Sequence, residues 1–215
     1  MKRSLIVSTM IIPAFALSLM GAAFPDPPAS PLAPAGAKKA IAVLAGGCFW
    51  GMQGVFEHVK GVADTVVGYA GGEKKTAEYE TVSTGKTGHA ESLQVTYDPS
   101  VVTYGQLLKI YFSIAHDPTT LNRQHYDEGP QYRSEIFYGD DMQKTIATQY
   151  IQQLNAAKVF KDPIVTKVEA LKGFYPAEAH HQHYLDRNPT DGYIVAMDLP
   201  LIANLKKTYP DWYKK

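Results

Sequence analysis

From residue 39 onward short apolar runs alternate with polar stretches, and the period of each run predicts an element. Lys39–Leu44 (KAIAVL) is brief, apolar and followed by glycines, which predicts a buried strand. Gly46-Gly47 break it, and Phe49–Lys60 follows with large apolar side chains at Phe49, Met52 and Phe56, a helical spacing. Val62–Tyr69 reads as a second strand, ended by Gly71-Gly72. Leu93, Val95 and Tyr97 alternate with Ser92, Gln94 and Thr96, the period of a half-buried strand, and Asp98-Pro99 stop it. Thr103 and Gln106 have capping-box spacing ahead of a helix that runs to Ile114 and ends at His116-Asp117-Pro118. Residues 119–131 are polar and aperiodic, a long loop of the kind that carries function. A strand is expected over Tyr132–Tyr138, an amphipathic helix over Asp141–Lys158, a strand over Val165–Ala170 and a short helix over Glu178–Arg187. Strands and helices mix without a strict βαβ rhythm, so the expected class is α+β. The architecture expected is a mixed or antiparallel sheet with packed helices, two-layered, with a ferredoxin-like core.

The N-terminus follows different rules. Lys2 and Arg3 precede an uncharged run, Leu5–Met20, and the small residues Gly21-Ala22-Ala23. That is the pattern of a secretory signal peptide over residues 1–23. An uncleaved anchor is the alternative, although the run is shorter than the ~20 residues of a spanning helix. Residues 24–37 are rich in Pro and Ala and read as a linker, leaving 38–215 as the globular domain. The expected location is therefore the periplasm or the exterior of the cell.

Composition narrows the function. The chain has 215 residues, 45% of them hydrophobic, enough for one domain with a sizeable core. Its 21 Lys and Arg balance 21 Asp and Glu, so no basic field exists to hold nucleic acid. Its one cysteine, Cys48, rules out an internal disulfide framework. Cys48 is either a small buried hydrophobe or a nucleophile. The strand–Gly–Gly–helix junction favours the second, because free N–H groups at a helix start favour a thiolate. At an ordinary pKa near 8.5 only about 3% of a thiol is ionised at pH 7, and a fall of about two units would make the thiolate dominant. A depressed thiol pKa is the expectation.

Several blocks then appear in order: Gly47-Cys48-Phe49-Trp50-Gly51, Gly68-Tyr69-Ala70-Gly71-Gly72, Thr87-Gly88-His89-Ala90-Glu91, Tyr97-Asp98-Pro99, His116-Asp117-Pro118, Gln131-Tyr132-Arg133-Ser134 and His181-Gln182-His183-Tyr184-Leu185. With these blocks the chain resembles the A-type peptide methionine sulfoxide reductases across the whole globular part. The resemblance implies that Cys48 attacks the sulfoxide sulfur while Glu91, a carboxyl kept protonated by an apolar pocket, protonates the leaving oxygen. It implies that Tyr79 and Tyr132 hydrogen-bond that oxygen and that Asp127 lies near the peptide substrate and the nucleophile. Phe49 and Trp50 would form the wall that receives the sulfoxide's methyl group. An apolar slot with donors on one side is chiral, which fits a preference for the S epimer. The implied substrates are oxidised proteins, peptides and free methionine sulfoxide, acted on by a monomer with no bound cofactor or metal.

The chain departs from many relatives in one respect. They keep resolving cysteines, whereas Ser83 stands in the first such region and Leu201–Lys215 contains none. The Cys48 sulfenic acid must then meet an external reductant: a thioredoxin-like protein, a glutaredoxin or a small thiol. Three other readings compete. Cys48 with His89 or His183 and a carboxylate would make a thiol hydrolase. Glu178, His180 and His183, sharing one helix face, would make a metal site. A non-enzymatic interaction module is the third.

Overall fold

The computed structural model describes residues 24–30 and 32–215, so the signal segment expected over 1–23 lies outside the described residues. The elements are β1 (Ala40–Ala45), α1 (Phe49–Glu57), β2 (Val62–Ala70), α2 (Tyr79–Val82), β3 (Ala90–Tyr97), α3 (Tyr104–Ile110), β4 (Arg123–Gln124), β5 (Asp127–Glu128), β6 (Glu135–Tyr138), α4 (Asp141–Ala156), β7 (Lys167–Ala170), β8 (Phe174–Pro176), α5 (Tyr184–Arg187) and α6 (Leu199–Thr208). Wider π turns extend α3 over Tyr111–Ala115 and lead into α6 over Ile194–Asp198.

Six strands form one sheet in the order β7-β6-β1-β3-β2-β8. All pairs are antiparallel except β6 with β7. This is the α+β arrangement the patterning predicts. β1 is apolar throughout, and from Ala42 to Ala45 both its faces are covered. Ala42 and Leu44 enter the main core with Phe49, Met52, Val55 and Phe56 of α1, Leu107 and Leu108 of α3, Tyr150 and Leu154 of α4, and Leu205 of α6. Val43 and Ala45 join a smaller cluster with Ala70, Ala90 and Phe137 on the other face. In β3 the row Leu93, Val95 and Tyr97 is buried as expected, and Gln94 and Thr96 are half-buried. Ser92 is buried too, donating to the Ala90 carbonyl at 2.9 Å.

The capping box of α3 is present in both directions. Thr103 Oγ1 accepts from the Gln106 N–H at 3.1 Å, and the Thr103 N–H donates to Gln106 Oε1 at 2.8 Å. The expected helix over Glu178–Arg187 is shorter in the structure, beginning only at Tyr184. Gln182 is the cause: its side chain accepts from the Val67 N–H at 3.0 Å and donates to the Val67 and Ala177 carbonyls, both at 2.9 Å. That outside pairing holds residues 179–183 in turns, with His183 at φ +51°. The fold also contains β8 and α6, which the patterning does not predict.

Residues 24–30 have no regular element but lie along α3 and α4. Tyr150 donates to the Pro25 carbonyl and Gln153 to the Asp26 carbonyl, both at 2.7 Å, and Lys109 pairs with Asp26 at 2.7 Å.

Candidate active site

The junction between β1 and α1 sets the site. Gly47 lies at φ +87°, and a Cβ there would meet the Gln124 side chain at 2.5 Å. A Cβ on Gly46 would meet the His116 ring at 2.8 Å. Only glycines allow the chain to turn this tightly between the loop and the imidazole. The turn delivers Cys48 as the residue capping α1, whose first turn-closing bond runs from the Met52 N–H to the Cys48 carbonyl at 3.5 Å. The Gly47 N–H donates to the Tyr132 carbonyl at 3.2 Å, tying one tyrosine's backbone to the cysteine's.

Glu91 continues the inward row of β3, two residues before Leu93, so strand alternation places a carboxyl where an apolar side chain would stand. It is 3% exposed and accepts from the Phe49 N–H at 3.1 Å, directly beside Cys48. Tyr79 is held from behind: its N–H donates to Glu178 Oε1 at 2.8 Å, and Tyr69 donates to the other oxygen at 2.9 Å. The β4–β5 hairpin, part of the expected functional loop, carries Asp127, which accepts from the Tyr193 hydroxyl at 2.5 Å.

Cys48, Phe49, Trp50, Tyr79, Glu91, Asp127 and Tyr132 all line one cavity of about 220 Å³. That is below the ~300 Å³ typical of small-molecule sites, a size suited to one side chain. The structure adds Tyr184, Asp191 and Tyr193 to the lining. The Tyr184 ring stacks on Trp50 at 3.9 Å, and the Tyr193 ring meets it edge-on at 6.3 Å. Behind the wall the His181 ring lies 4.4 Å from Tyr79 and 5.3 Å from Phe49, and neither of its nitrogens has a hydrogen-bond partner among the described residues. Burial, with His180 beside it, lowers its pKa and keeps the imidazole neutral. The aromatic content of Tyr184-Leu185 and Gly192-Tyr193 was the available sequence signal for this wall, but no spacing rule connects it to Cys48. A larger hollow of about 570 Å³ lies on the far side of the Gly46–Gly47 turn, lined by Phe24, Phe112, His116 and Phe160 among others, and Cys48 does not line it.

The electrostatics correct one expectation. The helix start does not depress the Cys48 pKa: burial pushes the thiol well up, with Glu91, Asp198 and Asp127 adding to the effect. The Trp50 N–H aimed at the sulfur pulls the other way and is outweighed. A half-buried sulfur near three carboxyl groups keeps its proton, because desolvation and like charge both disfavour the thiolate. Burial also raises Glu91 from 4.5 to about 8, with Asp127 adding and the Phe49 N–H opposing. At neutral pH Glu91 is therefore mainly a protonated acid. Tyr79 and Tyr132 are both raised, by burial first and by Glu91 next, and stay phenols able to donate.

The competing arrangements do not assemble. His89 accepts from the Gly72 N–H at 3.2 Å and faces the Glu73 carbonyl at 3.0 Å, while His183 pairs with Glu57 at 2.6 Å. Neither lines the Cys48 cavity. His180 and His183 share no helix face, since the helix starts after them, and no three metal-binding side chains cluster among the described residues.

Comparisons with known proteins point to one family. The family model described as "Peptide methionine sulfoxide reductase" matches residues 40–212. A peptide methionine sulfoxide reductase MsrA 2 of Mesorhizobium japonicum is 61% identical over 174 residues, covering 81% of this chain and 89% of that protein. The MsrA 2 of Synechocystis is 45% identical over 202 residues, covering 93% and 94%. Among solved structures, reduced Mxr1 from Saccharomyces cerevisiae superposes with a TM-score of 0.67 at 38% identity, covering 74% of this chain and 90% of that one. Methionine sulfoxide reductase A of Corynebacterium diphtheriae gives 0.63 at 31% identity, covering 78% and 89%.

Proposed function

The chain belongs to the peptide methionine sulfoxide reductase family, and from that premise we propose that Cys48 and Glu91 reduce the S epimer of methionine sulfoxide, in oxidised proteins, peptides or the free amino acid, to methionine. One observation carries the reading: a protonated, buried carboxyl shares a side-chain-sized cavity with the only thiol of the chain.

The sulfoxide enters with its methyl group against Phe49 and Trp50 and its oxygen toward Tyr79, Tyr132 and Glu91. This arrangement distinguishes the two epimers, because exchanging methyl and oxygen would desolvate the oxygen against indole and phenyl. Glu91 gives its proton to the oxygen as the Cys48 proton passes to the carboxylate left behind, so the buried pocket gains no net charge. The sulfur of Cys48 attacks the sulfoxide sulfur. That attack forms a transient S–S bond; the substrate's S–O bond breaks, and as methionine leaves the S–S bond breaks in turn and the oxygen ends bonded to Cys48. Methionine leaves reduced by two electrons, and Cys48 is oxidised by two, as a sulfenic acid. Tyr79 and Tyr132 stabilise the oxygen as charge develops on it. A first external thiol then forms a mixed disulfide with Cys48 and releases water, and a second returns Cys48 to the thiol. With no second cysteine in the chain, both thiols come from outside, from a thioredoxin-like protein, a glutaredoxin or a small thiol.

The N-terminal pattern of Lys2, Arg3 and Leu5–Met20 supports export, which puts the enzyme and its reductant in the periplasm or outside the cell. N-terminal sequencing of protein recovered from the exporting host should begin at Phe24.

The activity test uses separated S and R epimers with dithiothreitol. Turnover of S and loss of all turnover in Cys48→Ser are expected; turnover of R alone would overturn the reading. After one turnover without reductant, mass spectrometry should find one added oxygen on Cys48.

A further inference from the structure

Asp198 is a buried acid that the proposed mechanism does not use. It ends the π turn that begins at Ile194, is 3% exposed, and lies against the first turn of α1. Gly51, the third residue of that helix, makes the room: a Cβ there would meet Asp198 Oδ1 at 2.5 Å. The other oxygen, Oδ2, is buried with no hydrogen-bond partner among the described residues. An unpaired carboxyl in so dry a place is costly and calls for an explanation.

The first turn of α1 is where the free N–H groups and positive dipole end of the helix would favour a Cys48 thiolate. The Phe49 N–H is taken by Glu91, and Asp198 is seated on Gly51. Resting on the mechanism above, we propose that Asp198 is a positioning residue whose carboxylate, packed on Gly51, competes with Cys48 for the positive end of α1 and keeps the sulfur a thiol while the pocket is empty. It touches no substrate and acts through the proton of Cys48.

The groups that line the cavity or act on that sulfur come from five places. Glu91 comes from β3 and Asp127 from the hairpin. Asp191, Tyr193 and Asp198 come from the C-terminal segment, and Tyr79 and Tyr132 come from α2 and the approach to β6. Among the described residues no cation lines the cavity to offset them. At neutral pH Glu91 is largely protonated, whereas Asp198, raised only to about 7 by burial and by Asp127 and Asp191, is ionised in a large share of molecules. Asp198 is thus a principal charge opposing the thiolate at rest. The restraint has chemical value in a chain with one cysteine. A standing thiolate is open to oxidation beyond sulfenic acid, and the sulfinic state is irreversible without dedicated repair.

The test reads the sulfur directly, with no sulfoxide present, so it succeeds or fails independently of turnover. The pH midpoint of Cys48 alkylation by iodoacetamide is measured by mass spectrometry in the unaltered chain, Asp198→Asn, Asp198→Ser and Asp198→Glu. Both neutral variants should shift the midpoint down by about one unit, which is about tenfold faster alkylation on the rising limb. Asp198→Glu should keep the native midpoint. Asn and Ser differ in size, so a packing defect in one leaves the other readable by near-ultraviolet circular dichroism. An unchanged midpoint in a folded neutral variant would overturn the proposal. So would loss of the native fold in both neutral variants, which would make Asp198 a structural acid.

Discussion

Two buried polar clusters flank the Gly46–Gly47 turn, and they follow opposite rules. On one side, Tyr111 donates to the Ala45 carbonyl at 2.7 Å and meets Ser134 Oγ at 2.9 Å. His116 contacts that same Ser134 oxygen at 2.7 Å and the Tyr111 carbonyl at 3.0 Å, and Thr166 closes the set at 2.7 Å from Ser134. Every side chain in it is paired. On the other side, Glu91 has one hydrogen bond, Cys48 caps its helix without a side-chain bond, and Asp198 Oδ2, Trp50 Nε1 and both His181 nitrogens are unpaired among the described residues. A satisfied network rigidifies the turn; on the unsatisfied side Cys48 and Glu91 line the cavity with protons available to a visitor. Burial acts on both clusters, and only the pairing differs.

Breaking the unsatisfied side should cost chemistry and spare stability. Glu91→Gln keeps the shape but removes the acid, and kcat should fall by about 10²–10⁴-fold with KM little changed; steady-state kinetics on the S epimer check this. Tyr79→Phe and Tyr132→Phe each remove one donor to the oxygen and should lower kcat/KM by about tenfold, the loss of roughly 1.4 kcal/mol.

Breaking the satisfied side should do the reverse. Ser134→Ala removes the partner of His116 Nε2 and Thr166 Oγ1 and leaves Tyr111 only the Ala45 carbonyl, and urea unfolding should show a loss of about 1–3 kcal/mol. Its kcat/KM should stay within about twofold of the unaltered enzyme.

The subtlest expected contrast is in pH. Glu91 is raised from 4.5 to about 8 in the folded state. Its contribution to stability is full below pH 4.5 and is lost as pH rises through about 8, because the unfolded chain releases the proton first. His116 is lowered from 6.5 to about 4 by burial, against the opposing Tyr111 carbonyl and Asp117. Its contribution is full above pH 6.5 and is lost as pH falls through about 4. Urea titrations across this range should show Glu91→Gln reducing the decline toward alkaline pH, with the share of Asp198 remaining, while leaving the acid-side loss in place.

Much of the fold was legible because its signals are local. β1 reads as an apolar run bounded by glycines, and α3 is announced by Thr103 and Gln106, whose capping bonds the structure contains. Of the site, Cys48 could be placed at a helix start from the Gly-Gly break alone. Glu91, Tyr79, Asp127 and Tyr132 came from motif resemblance, since nothing in their own spacing marks them. The C-terminal closure was missed. In α6, Pro200 reads as a helix breaker, yet it falls in the first turn, where its missing N–H costs nothing. Tyr193 reaches Asp127 across 66 residues, and Asp198 reaches Gly51 across the length of the domain. Contacts of that separation are set by packing and leave no periodic trace. The thiol pKa was misread for a related reason. A helix start is visible in sequence, but the carboxyls that converge on it from β3, the hairpin and the C-terminal segment are not.

The central claim is that Glu91 holds a proton at neutral pH beside the only thiol of the chain. Infrared difference spectroscopy of the unaltered enzyme against Glu91→Gln, at pH 7 and without substrate, observes that proton directly. A protonated carboxyl band belonging to Glu91 is expected at pH 7, fading as pH rises through about 8. A carboxylate band already present at pH 6, with no protonated component, would contradict the account.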